Sequence, residues 1–556
     1  MRTDRRGFLG LVARALGALA LPDHARSAPA APALAIHRAT RNTRAGAIGR
    51  GLLAWRTPSA PAKEYPGAPR VMLPATATGA SRSLAATVRD FAPAAGFRGR
   101  EIPLAALARL LHQTNGVTGE LAGAGSSVPL RAAPSAGALY AGEVYVAAER
   151  VAGLAPGLYH FAVLERALVR LREGPSLAAI GDALEQPRRL RGAAFALLLT
   201  NVFGRYGGRY ANRGYRYALI DTGHIAENLR LAAAAEGYGE LGFARFDDER
   251  LDALLGIDGD SEAVCFVSAV GAASAPGEAA GSAASPARRL VERDPRAALA
   301  PGRSVLRYHR ATQLVRSAAG PGDAALRPEP APELEGDPLR ARLDPRVSVE
   351  AAIRARRSPL AFLPLAIDAA DFGFVLAMAR AGARLERVPG VELFAIAHRV
   401  SGLSPGLYAS DGRRLALRRA GDLRVALADA CLGQDKAAIA AAALLMVARP
   451  APAAARAGPR AYRDLLIESG AIGQRIYLAA ESCGLAARNL AAFHDDDLAA
   501  LLGFGPDDRA VLHLTLVGRE DADAAAAARG EPLQQAKGPP RRSGSGARRG
   551  PAVDQG

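Results

Sequence analysis

At 556 residues, 49% of them hydrophobic, the chain can bury more than one core and is expected to hold at least two domains. Its 71 basic against 54 acidic residues give a formal charge of +17, but lysine occurs only at Lys63, Lys436 and Lys537. The excess is arginine in an Ala-, Gly- and Pro-rich background, with no basic run interleaved with stacking aromatics, so nucleic acid is excluded as a partner.

Met1 to Ala33 is read as a leader. Asp4-Arg5-Arg6-Gly7-Phe8-Leu9 resembles a twin-arginine export signal, and the apolar run Leu9 to Leu21 is followed by the small residues Ser27-Ala28-Pro29-Ala30. The expected localisation is therefore periplasmic, with an uncleaved cytoplasmic N-terminus as the alternative. No other segment reads as a membrane span, because the apolar run Ala437 to Val447 is too short.

Repetition organises the rest of the chain. His37-Arg38-Ala39-Thr40 recurs as His309-Arg310-Ala311-Thr312, and Gly153-Leu154-Ala155-Pro156-Gly157-Leu158-Tyr159 recurs as Gly402-Leu403-Ser404-Pro405-Gly406-Leu407-Tyr408. Tyr215 to Gly271 aligns without a gap to Tyr462 to Gly518, and 23 of the 57 positions are identical. The chain is a tandem duplication: repeat one over residues 34–275, a linker over 276–304, repeat two over 305–520, and a tail over 521–556 whose Ala/Gly/Arg composition predicts disorder.

Within repeat one, Ile102 to Leu111 carries apolar residues at helical spacing and Thr222 to Ala235 is a longer helix, repeated as Ser469 to Ala480. Val144 to Ala147, Ala194 to Thr200 and Val264 to Val270 read as strands, with copies at Leu393 to Ala397, Ala442 to Ala448 and Val511 to Val517. The class is α+β, without the regular alternation of a doubly wound parallel sheet. Cys265, Cys431 and Cys483 lie far apart in or beside apolar runs, which argues against a disulfide framework. HExxH, P-loop and strand-borne GxGxxG motifs are missing, so no metal site or Rossmann cofactor site is expected.

The stretches with chemical character are Pro134-Ser135-Ala136-Gly137, a tight turn delivering the strand at Val144, then Gly208-Arg209-Tyr210-Ala211-Asn212-Arg213, and Arg354-Ala355-Arg356-Arg357-Ser358. Taken alone, these read equally as a loop, a hinge packed on the next helix, and a solvated helix face. Together they resemble the SagB/ThcOx-type branch of the FMN-dependent nitroreductase family. The resemblance implies two nitroreductase-like repeats, each a mixed or antiparallel sheet flanked by helices, packed as an intramolecular pseudo-dimer in a monomeric protein.

It also implies FMN as cofactor. Arg356, Arg357 and Ser358 would bind its phosphate and ring edge, Pro134, Ser135, Ala136 and Gly137 would close the site from the other repeat, Gly484 and Leu485 would lie along the ring, and Arg519 would give a closing phosphate contact. Leu360 stands where the family usually has a further basic residue. Repeat one lacks Arg-Arg-Ser and repeat two lacks Pro-Ser-Ala-Gly, so one complete composite site is expected. Tyr210 and Arg209 take the place of the branch's Lys-Tyr pair, and Arg209 cannot act as a base. His224 is read as a packed histidine. The implied activity is hydride transfer through flavin N5 to or from a small-molecule or peptide-derived substrate, with a nicotinamide or other electron donor as a further partner. The alternative is a degenerate, non-catalytic binding or scaffold protein.

Overall fold

The computed structural model describes residues 31–44, 62–75, 82–123, 126–274, 288–294, 305–321, 334–339, 341, 346–381, 390–505 and 507–523. The leader motif and nearly all of the tail lie outside these residues. A helix, Ala31–Thr40, already runs across the division drawn at Ala33.

Each repeat builds one antiparallel sheet. In repeat one the strand order is Arg70–Met72, Ala167–Glu173, Gly157–Ala162, Gly142–Ala148, Phe195–Val202, Glu262–Gly271, Gly239–Phe243. In repeat two it is Asp337–Pro338, Arg414–Ala420, Gly406–Ser410, Glu392–Ala397, Ala442–Ala448, Ala510–Glu520, Phe362–Leu363, with Ala486–Leu490 also paired to Ala510–Glu520. The central strands are continuous apolar runs because both of their faces are covered. One large core lies on the side shared by the two repeats, and a smaller core covers the outer face of each sheet.

The two long helices, Gly214–Ala235 and Arg460–Ser482, cross at the centre of the molecule. Both start well before the positions read from the sequence, Thr222 and Ser469. Their first turns carry Arg213, Arg216, Arg460 and Arg463, which look like solvated residues but are buried. The partners come from the other repeat: Arg213 and Arg216 reach Asp495 at 2.5 Å each, while Arg460 and Arg463 reach Asp248 at 2.5 and 2.9 Å. These four pairs are related by the same shift of 247 that aligns the repeats (213 to 460, 216 to 463, 248 to 495). The duplicated His-Arg-Ala-Thr segments dock reciprocally as well, His37 against Tyr462 at 3.3 Å and Thr312 against Tyr215 at 3.1 Å. At the crossing itself, a Cβ on Gly223 would overlap the Ile467 carbonyl oxygen, and one on its mate Gly470 would lie 3.1 Å from Gly223 Cα.

Besides the further strands of each sheet, two hairpins go beyond the sequence pattern. Val117–Gly123 and Ser126–Arg131 form a hairpin that leads into the Pro-Ser turn, and Arg288–Glu292, inside the expected linker, pairs with Leu314–Pro321. No described helix is long and apolar enough to cross a membrane.

Candidate functional site

Ser348 caps the helix Val349–Ala355 by accepting the Ala351 N–H, and the helix ends at Arg356. That ending carries Arg356-Arg357-Ser358 across to the other repeat. Arg356 Nε donates to the Ala132 carbonyl at 3.0 Å and Nη2 to the Arg131 carbonyl at 2.9 Å, while its guanidinium lies over the Tyr477 ring. Arg357 donates to Thr118 of the hairpin. Ser358 Oγ and Tyr477 OH are 2.8 Å apart, and Tyr477 OH accepts the Asn489 N–H. The Arg-Arg-Ser end of repeat two therefore meets the approach to the Pro-Ser turn of repeat one.

The turn is pinned from within repeat one. Ser135 Oγ accepts the Tyr140 N–H at 2.9 Å and lies 2.7 Å from Tyr206 OH, which donates to Asp221. The Ala136 N–H also reaches Asp221, at 3.4 Å. Burial pushes the Asp221 carboxyl up to about 7, against the Tyr206 and Ser135 hydroxyls that favour its charged form. Gly137 has φ +64°, and a Cβ there would come 2.5 Å from Tyr210 OH and 3.1 Å from an Arg209 nitrogen. Glycine is thus required twice, by the left-handed backbone and by close approach. Tyr210 packs edge-on against Tyr217 at 4.8 Å, and burial raises its pKa; Arg209 is exposed.

The charge balance is unusual. Among the described residues neither Arg356 nor Arg357 is in contact with a carboxylate, Glu481 acting on them only through space, and Nε and Nη1 of the buried Arg131 have no hydrogen-bond partner. Burial pushes all three guanidiniums below their usual value. Glu143 near Arg131 and Glu481 near Arg356 and Arg357 offset that burial only in part, and a cluster of three guanidiniums not in contact with a carboxylate suits a planar or tetrahedral oxyanion. The phosphate of FMN fits the chemistry of these residues.

Comparison with known proteins gives this arrangement its context. The nitroreductase family model matches residues 96–272 and again 353–519, well over half of the sequence. The chain belongs to the nitroreductase family. A nitroreductase homologue from Methanocaldococcus jannaschii is 28% identical over 156 residues, 28% of this chain and 75% of its own. The crystal structure of a nitroreductase homologue from Anabaena variabilis ATCC 29413 matches with TM-score 0.69 and 26% identity, covering 88% of this chain and 99% of that one.

The remaining expected nitroreductase positions are dispersed in role. Gly484 has φ +66° and closes the long helix by donating its N–H to the Glu481 carbonyl, and a Cβ there would meet nothing within 4 Å. Its place is explained by the helix end. Leu485 is buried in the shared core. Arg519 is exposed at the end of its strand, with Nε 3.4 Å from the Ala366 carbonyl. His224 is packed as expected, its ring nitrogens at 3.0 Å from Gln474 Oε1 and 2.8 Å from Asn489 Nδ2.

Sequence reasoning missed Asp221, Tyr206 and the buried Arg131, whose guanidinium lies over the Tyr140 ring. The signal for Asp221 was present: the position holds an acid in both repeats, Asp221 and Glu468. Arg131 borders the Pro-Ser turn in the sequence, and only its burial distinguishes it from the other arginines.

Proposed function

We propose that the chain is an FMN-dependent oxidoreductase holding one flavin per chain in the composite site. The observation that carries this reading is the gathering of Arg131, Arg356 and Arg357 without carboxylate partners at the junction of the repeats. Arg357 and Ser358 hold the phosphate end, because guanidinium and hydroxyl donors suit an oxyanion, and Arg356 lends its charge there while its Nε and Nη2 tie the site to the Ala132 and Arg131 carbonyls. The Pro134–Gly137 turn, with its small side chains, lets backbone approach the ring. When bound, FMN supplies a hydride donor or acceptor at N5. Tyr210, whose hydroxyl borders the turn, is the group for proton transfer, and burial keeps it protonated at neutral pH. Arg209 remains charged and orients an anionic part of a small-molecule or peptide-derived substrate.

The Arg209-Tyr210 pair in place of Lys-Tyr favours a SagB/ThcOx-like oxidoreductase of open direction over an azoline dehydrogenase. A nicotinamide is the electron donor where the chain acts reductively. The test is flavin content after purification and FMN reconstitution. Arg356→Ala/Arg357→Ala should strip the flavin and Arg98→Ala/Arg100→Ala should retain it. Two flavins per chain, or equal loss from both variants, would overturn the composite site, and no flavin in the wild type would favour the scaffold alternative.

A further inference from the structure

The pseudo-twofold axis that passes Gly223 and Gly470 implies a second position equivalent to the composite site. Phe91 lies eight residues beyond its N-cap Ser83 as Arg356 lies eight beyond Ser348, so Phe91 and Pro93 stand where Arg356 and Ser358 stand. The shift of 247 likewise puts Arg230 in the place of Tyr477, Asp464 in that of Tyr217 and Glu468 in that of Asp221. The phosphate-binding donors of the motif are gone from this position. A cavity of about 140 Å³ remains, lined by these residues, by the apolar side chains of Leu241, Phe243, Phe266 and Ile467, and by further charged groups of which the acids Glu185, Glu227 and Glu240 outnumber the cations Arg189 and Arg245.

The lining has changed sign as well as shape. Glu227 is matched by Arg230 and by Arg475 at 3.1 Å, and Arg230 in turn lies 4.2 Å from the Phe91 ring centroid, so this ring already receives a cation on one face. Glu240 and Asp464 have no ion pair among the described residues, and Asp464 Oδ1, on a side chain 2% exposed, has no hydrogen-bond partner at all. Burial pushes Glu240 up to about 7, against Arg230 and Arg189 and beside Glu227. It pushes Asp464 up to about 6, against Arg460, Arg245 and Arg463 and beside Asp248. An orphaned buried acceptor is unfavourable unless a donor arrives to pair with it.

We propose that this cavity is a second ligand site, distinct from the flavin site, that takes a small organic cation: an amine or guanidine on an apolar body, its charge paired with Asp464 and Glu240 and its body against the phenylalanine rings. The duplication would thus have converted an anion site into a cation site, so that the chain binds one flavin and one cationic effector or co-substrate.

Isothermal titration of the full chain with benzylammonium, and with benzyl alcohol as its neutral isostere, tests this. Benzylammonium should bind at least tenfold more tightly than the alcohol at pH 8, where both carboxyls are mainly ionised. Asp464→Asn should abolish that preference. Glu240→Gln, which keeps an oxygen able to accept from Ser268 Oγ, should reduce it and decides the matter where Asp464→Asn does not fold. Equal affinity for the two probes, no benzylammonium binding, or a preference that survives in both variants would overturn the proposal. Flavin content, measured in the same samples, reports separately on the composite site.

Discussion

Gly223→Ala perturbs the molecule at the point where its two halves come nearest. The new methyl would overlap the Ile467 carbonyl oxygen and lie 2.8 Å from Ala471 N and 2.9 Å from Gly470 Cα, whereas carbon contacts are favourable near 3.5–4.0 Å. Every obstructing atom is backbone, so no rotamer change relieves the clash, and the helices must separate by about 1 Å. Overpacking of a tight interior costs about 1–3 kcal/mol, and the upper end applies here. Replacing a helical glycine by alanine returns ~1 kcal/mol. The net loss is therefore ~2 kcal/mol, a fall in Tm of roughly 4–8 °C for a domain of this size class. Differential scanning calorimetry checks it, with Gly207→Ala as control. Gly207 sits in the helix Gly204–Tyr210, where an added Cβ would meet no atom within 4 Å, so its substitution should stabilise by ~0.5–1 kcal/mol. If both substitutions raised Tm alike, the crossing would not be the close backbone contact described, and the reasoning from the pseudo-twofold axis would fail.

Three further outcomes are expected. Asp495→Asn should destabilise by about 3–5 kcal/mol, since it leaves Arg213 and Arg216 buried without a carboxylate; Asp248→Asn should match it, and a loss below ~1 kcal/mol in either denaturation curve would count against the reciprocal ion pairs. Asp221 has a folded-state pKa of about 7 against an ordinary 3.8, so its contribution to stability is full below the lower value and is lost as pH rises through the higher one. Asp221→Asn should therefore flatten the fall in unfolding free energy between these values, and an unchanged slope would show that this carboxyl does not titrate there. Tyr210→Phe should keep flavin bound and reducible by a nicotinamide in stopped-flow, yet slow reoxidation of the reduced flavin by an acceptor substrate that must gain a proton with the hydride, since the phenol that donates it is gone; loss of nicotinamide reduction as well would assign the hydroxyl a binding role instead.

The tandem architecture was legible because duplication writes itself as identity at a fixed offset, and because the central strands are apolar along most of their length. The central helices run longer than their apolar pattern for a physical reason. Arg213, Arg216, Arg460 and Arg463 have no apolar periodicity, and they are buried only because an aspartate from the other repeat meets them. The same long-range cause hid the site. Arg356 is one arginine among dozens until the fold brings it to the Arg131 and Ala132 carbonyls, 225 and 224 residues away in sequence. Asp221 looks in the sequence like the polar residue before a helix, whereas it is a buried carboxyl in the first turns of a longer one, holding the turn through Tyr206.

The distribution of losses between the repeats bears on function. On the reading proposed above, a composite site combines the Arg-Arg-Ser end of one repeat with the Pro-Ser turn of the other, so a pseudo-dimer has two such positions. Repeat one has lost the first element, with Phe91 and Pro93 in its place, and repeat two has lost the second, its sequence shortened to Val388-Pro389-Gly390-Val391-Glu392-Leu393. Both losses fall on the same site. Had the two elements decayed independently of any activity, one loss in each site was as open an outcome as two in one, and it would have left no complete set. The surviving set carries strain and desolvation: a glycine at φ +64° against Tyr210, a carboxyl whose pKa lies near 7, and three guanidiniums not in contact with a carboxylate. Such features are unfavourable in a merely structural junction and are retained where a ligand compensates them. The mate position, which lacks both elements, has instead a cavity lined by Glu185, Glu227, Glu240, Asp464 and Glu468 together with Arg189, Arg230 and Arg245.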